Sequence, residues 1–164
     1  MVKTCICAGK FALDIIKKRT YPEGFVVGKH NKFVEELYKE CIGNTCGNVA
    51  TILPYLGVQT FPIAHFDMSE QGLKLTSDLK HYGADIRFVQ NTPKGGTTLF
   101  ECIHKRDKNT GEWIRGYRQY SPDSRFPKRK NLRGRDEAPA FLANLDFTPN
   151  VYFFDSPESG FRVL

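Results

Sequence analysis

The chain has 164 residues, 40% of them hydrophobic and 26% charged, with a formal net charge of +6. That length sets one domain with room for a core. It holds no apolar run near the ~20 residues of a membrane span, and the N-terminal MVKTCICAG is apolar over too short a distance to be a secretory signal. Five cysteines, an odd number, stand at Cys5, Cys7, Cys41, Cys46 and Cys102. Without a signal they argue against a disulfide framework and for a cytoplasmic protein. The positive charge favours anionic partners only loosely.

Residues 2–8 read as a short strand that ends at Gly9. Cys5 and Cys7 would lie on one face of it. No Cys/His pair follows at zinc-site spacing, so no metal site is expected and the two thiols read as small buried hydrophobes. Asp14 then sits among Phe11, Ala12, Leu13, Ile15 and Ile16. A carboxylate in an apolar run needs a partner if it is buried. It reads either as an acceptor for a ligand's hydroxyls or as a solvated loop aspartate. Residues 21–38 are mixed: Pro22 and Gly24 mark a turn, Phe25, Val26 and Val27 suggest a strand. Residues 39–42 read as another short strand.

That strand delivers the chain to IGNTCGNVATILPYLGV, residues 42–58. The stretch opens small, polar and flexible, then turns into a helical apolar pattern of Val49, Ile52, Leu53 and Leu56, with Gly57 as a stop. The helix is expected over about 45–56, kinked or irregular at Pro54. A helix start carries unpaired N–H groups that suit an anion or a hydroxyl-rich ligand. Gly43 and Gly47 would let a backbone approach closely. Asn44, Thr45 and Asn48 could bond hydroxyls, and Asn44 or Thr45 could equally be a helix cap.

Val58–Phe66 is a strand candidate containing Pro62. Asp67 or Ser69 can cap a second helix through about residue 82, with Leu73, Leu75 and Leu79 as apolar anchors and Gly83 as the stop. Residues 86–90 read as a third strand. Strand, helix, strand, helix, strand argues for an α/β layer with a mainly parallel sheet. Residues 97–104 and 113–120 form a hairpin about the turn 107–111, better placed as a flap than in the main sheet. Residues 125–135 hold six Arg or Lys. This run reads as a solvated loop, with nucleic-acid contact as the weaker reading because only Phe126 interrupts it. A short helix is expected over 138–145, and 150–154 (NVYFF) is a buried strand candidate. Asp155 leaves the carboxyl end of that strand, where ligands of open α/β sheets bind.

The order of these pieces resembles the ribokinase/pfkB family of carbohydrate kinases. The match rests on the step Gly9–Asp14, the loop and helix GNTCGNVATILPYLG, the step from Phe66 and Asp67 to Gly72, the turn at Gly83, the strands after Thr97 and Thr98, and the turn Asp155-Ser156-Pro157. The resemblance implies an α/β, ribokinase-like three-layer αβα fold with a mainly parallel central sheet and a small β lid, truncated. The lid strands would span about 15–42 and 97–120, and the C-terminal nucleotide-binding half would be absent.

It further implies an ATP-dependent transfer of the γ-phosphate to a sugar hydroxyl. Asp14 and Asp155 would accept bonds from the sugar, Gly43, Asn44, Thr45 and Asn48 would line it, and Thr97 and Phe100 would touch it from the lid. Nothing in the chain matches the family's Gly-Ala-Gly-Asp segment, so no catalytic residue is assigned. ATP and Mg2+ serve the full-length family and are not expected to bind this chain alone. The partners implied are a small sugar and a second copy through the lid strands or exposed sheet, with no membrane or nucleic acid. The alternative is a non-catalytic module that works by oligomerisation or partner binding. One departure is Asn44, which stands where the family pairs a second glycine.

Overall fold

The computed structural model describes residues 2–120 and 145–155. In chain order the strands are β1 (Lys3–Ala8), β2 (Ala12–Thr20), β3 (Val34–Gly43), β4 (Val58–Phe66), β5 (Val89–Asn91), β6 (Leu99–Arg106), β7 (Trp113–Tyr120) and β8 (Val151–Phe154). Two helices stand among them, α1 (Asn44–Ile52) and α2 (Glu70–His81). The strands make two sheets. One has the order β5-β4-β1-β8 and is parallel throughout. The other, β3-β2-β6-β7, pairs β2 with β6 in parallel and closes each side with an antiparallel strand.

β1 is central to the parallel sheet and buried on both faces, as such strands are. Cys5 and Cys7 face the helices, in one core with Phe11, Cys46, Ala50, Leu75 and Leu79. Ile6 and Ala8 face the other way, with Phe61, Ile63 and Phe88, and meet Leu145 and Phe147. The helix expected over 138–145 and the basic run 125–135 lie outside the described residues.

Local chemistry sets the element ends. Ser69 caps α2 by accepting the Gly72 N–H at 3.1 Å. Gly83, at φ +88°, ends it: its N–H bonds Lys80 and the Ala84 N–H bonds Leu79, satisfying two orphan carbonyls. Pro54 turns the end of α1 into a single tight 3-10 turn, Leu53–Leu56. Pro62 is tolerated in β4 for a legible reason. The Thr60 carbonyl accepts from Asp85 on the side away from β1. The amide position two residues on faces that same side, and β5 does not begin pairing until Ala64.

Several sequence expectations need correction. Phe25, Val26 and Val27 are loop, not strand; the Asn31 side chain bonds both the N–H and the carbonyl of Val26. The strand leading to Gly43 starts at Val34, five residues early, because its backbone pairs along the whole of β2. Residues 86–88 form a 3-10 turn before the short β5. Leu73 is exposed, on the outer face of α2. β8 is not buried: it lies at an edge, with Val151, Tyr152 and Phe154 open to solvent.

This placement predicts an asymmetry within α2. Leu79→Ala should cost about 2–5 kcal/mol in urea unfolding, whereas Leu73→Ala should stay within about 0.5 kcal/mol.

Candidate functional site

The first turn of α1 is where the two sheets meet. β3 ends at Gly43, which is the residue before the helix. β2 carries Asp14 beside it, opposite Cys41 of β3 and Phe100 of β6. The Asp14 carboxylate lies directly over Gly43: a Cβ on Gly43 would come within 1.9 Å of Asp14 Oδ2. While the Asp14 carboxylate holds this position, only glycine fits there. Asp14 is half-buried, and among the described residues no side chain or backbone N–H donates to its carboxylate. Burial alone pushes its pKa up from the ordinary 3.8.

Asp155 repeats the arrangement one sheet away. A Cβ on Gly9 would come within 1.9 Å of Asp155 Oδ1, and that oxygen accepts the Lys10 N–H at 2.9 Å. Asp155 also bears on α1. The Cys46 thiol, fully buried in the first turn of the helix, is raised well above the ordinary value by burial first and by the Asp155 charge second. Both acids therefore border the same helix start.

Asn44 has φ +62° and is the one non-glycine residue in the left-handed region among the described residues. That conformation is the one a glycine would supply, and asparagine is among the few side chains that tolerate it. Its Oδ1 accepts the Thr45 N–H at 2.8 Å, so the side chain folds onto the helix start. Neither Asn44 nor Thr45 is the cap; Gly43 holds that position, with no side-chain cap bond. Thr45 and Asn48 are exposed on α1. Gly47 does not face a ligand: a Cβ there would stand 3.0 Å from Ile42, so it serves close packing of α1 on β3.

Phe100 lies next to Asp14 in register and packs on Tyr117 with centroids 5.6 Å apart. Thr97 is different. It is buried, and its hydroxyl donates to Asp67 Oδ1 at 2.8 Å. The same oxygen accepts both the N–H and the hydroxyl of Ser69, the α2 cap. Thr97 thus ties the entry of β6 to the start of α2. The sequence showed Asp67 as a capping candidate and gave no sign of this second role. It also passed over Glu101, buried in β6 and ion-paired with Lys17 and, at 2.8 Å, with Arg118. The apolar frame Leu99-x-Glu101-x-Ile103 was the available signal, since a charge on a buried strand face requires partners.

No family model and no curated protein matches the chain. Solved structures do. The chain is similar to a fructokinase from Xylella fastidiosa, with a TM-score of 0.61 and 19% identity over 94% of this chain and 41% of that one. It is similar to Arabidopsis thaliana ribokinase complexed with ribose and ATP, with a TM-score of 0.63 and 11% identity over 94% and 45%. A putative ribokinase from Agrobacterium tumefaciens gives 0.54 and 18% over 85% and 42%. The chain has the fold of ribokinase-like sugar kinases and spans less than half the length of these structures.

The raised pKa of Asp14 fixes the sign of a pH effect. Below about pH 3.8 the group is protonated in both folded and unfolded chains. As pH rises through the higher native value the unfolded chain ionises more readily, so stability is lost. Asp14→Asn should raise the thermal midpoint at pH 7, and the difference from the parent chain should close toward pH 4. A difference of the same size at both pH values would contradict the assignment.

Proposed function

We propose that this chain is the sugar-binding part of an ATP-dependent carbohydrate kinase of the pfkB type. One observation carries the reading. A half-buried carboxylate, Asp14, lies over a glycine at the start of a helix, in the fold of sugar kinases. Such an acid is costly unless something donates to it, and sugar hydroxyls are donors of the right kind. Asp155 adds a second acceptor beside the same turn. Gly43 and Asn44 keep the backbone close, and Thr45 and Asn48 present polar groups from the outer side of α1. The second sheet serves as the lid, with Phe100 beside Asp14 on it. Thr97 acts through Asp67, holding the lid's entry rather than the sugar.

Binding and orientation are what these residues supply. Phosphoryl transfer depends on positioning and charge stabilisation, and the base and nucleotide site belong to a segment that this chain does not match. Among the described residues there is no group of three or more His, Cys, Asp or Glu that could hold a metal ion.

The exposed apolar residues of β8, Val151, Tyr152 and Phe154, favour a second reading, a module that works by pairing with another chain at this edge. A monomer by light scattering would contradict this second reading, which requires an oligomer or a bound partner. No described helix is long and apolar enough to cross a membrane. The proposed setting is the cytoplasm.

On the first reading, Asp14→Ala weakens sugar binding by about 1–3 kcal/mol, the cost of leaving hydroxyls without an acceptor. Calorimetry with ribose and fructose measures it. Unchanged affinity for a sugar that binds the parent chain would remove Asp14 from the site.

A further inference from the structure

The face of the second sheet that carries Asp14 changes character along its length. The register of β2, β6 and β7 is unbroken over the paired residues, so alternate residues share that face. Starting from the Asp14 row, it presents Phe100 and Gln119, then Ile16, Cys102 and Tyr117, then Lys18, His104 and Arg115. The side-chain contacts agree with this alternation. Phe100 packs on Tyr117, His104 stacks on Trp113, and the Lys18 ammonium lies 6.0 Å from the Trp113 ring. Lys17, Glu101 and Arg118 meet one another on the opposite face.

The third row is a line of cationic and titratable side chains on neighbouring strands. The Arg115 Nε–H bonds His104 Nε2 at 3.4 Å, leaving the rest of its guanidinium exposed. Arg106, one row further, lies over Trp113 at 4.5 Å and bonds the Gly111 carbonyl. Lys39 projects from β3 in the row of Ile16. The acids on this face are Asp14 itself and Glu36, which pairs in register with Lys18. Among the described residues no ion pair joins Lys18, Lys39 or Arg115 to a carboxylate.

We propose that Lys18 and Arg115 bind an anionic group on the same polyhydroxy substrate that Asp14 holds. The preferred substrate is then a sugar phosphate or a sugar acid rather than a neutral sugar. The inference rests on the sugar-binding reading and narrows it. The spacing fits: four residues at about 3.3 Å each put the two rows about 13 Å apart along the strand, a gap that a phosphorylated sugar or sugar acid spans with a hydrogen bond at each end. Phe100 and Tyr117 floor the stretch between. The guanidinium fork of Arg115 matches phosphate and carboxylate oxygens alike.

The test is a calorimetric titration of the 164-residue chain with fructose, fructose 6-phosphate, gluconate and inorganic phosphate, at low and at physiological salt. The parent chain should bind one of the two anionic sugars more tightly than fructose, and the other anionic arm tells phosphate from carboxylate. Arg115→Gln and Lys18→Gln should each weaken the charged sugar about tenfold, as the loss of one charge-assisted bond, and leave fructose unchanged. Fructose binding that depends on Asp14, with no preference for a charged sugar, overturns this inference and leaves the sugar-binding reading standing. No binding of any sugar overturns both. Binding of inorganic phosphate alone, insensitive to both variants, marks general charge attraction and overturns it. With a single-stranded oligonucleotide as a fifth titrant, binding lost in Arg115→Gln without binding of any sugar overturns the inference and reassigns the face to nucleic acid.

Discussion

A Cβ on Gly43 and the carboxylate of Asp14 cannot occupy the same space; they would meet at 1.9 Å. That exclusion organises the joint between the two sheets. It calls for glycine at the end of β3 as long as Asp14 points there, and it goes with a half-buried acid at the start of α1. Gly9 and Asp155 repeat the device at the end of β1. In each case a glycine lets an acid approach the backbone closely, and the acids border one helix turn. An unligated carboxylate in such a place costs stability, which is a familiar mark of residues kept for binding.

The second sheet is held to the first by contacts of another kind. Thr97 donates to Asp67, Asp67 orders the Ser69 cap, and a Cβ on Gly72 would stand 2.8 Å from the Thr97 hydroxyl. The start of α2 and the entry to β6 are thus one hydrogen-bonded unit. Glu101 adds a buried charge on the face of β6 away from Asp14, compensated by Lys17 and Arg118. The sheet is therefore anchored at its base while its outer rows, from Tyr117 to Arg115, stay exposed.

Much of this was legible in the sequence where local chemistry decides. Ser69 and Gly83 bound α2 because a cap and a left-handed stop are residue-specific devices. The order of strands and helices to residue 90 fixed a parallel α/β sheet. The expectation failed where tertiary pairing decides. VEELYKE in β3 is exposed on both faces, so it carries no alternation, and only its backbone bonds to β2 make it a strand. Val151, Tyr152 and Phe154 are apolar, yet an edge position leaves them open. Asn44 read as a departure from the family's pair of glycines. Its left-handed backbone explains how asparagine stands in for glycine there. Of the sugar-site candidates, Asp14, Gly43, Asn44, Thr45 and Asn48 cluster at one helix start with Phe100 alongside. Thr97 is instead spent on Asp67, which only the folded chain reveals.

The most direct measurement is a backbone amide chemical-shift titration of this chain with neutral and phosphorylated sugars. The account predicts saturable shifts at residues 9–14, 43–48, 98–102 and 155, reaching residues 18 and 115–117 only with the phosphorylated sugars, and their loss in Asp14→Asn. Shifts centred elsewhere, or none with any sugar, would contradict it.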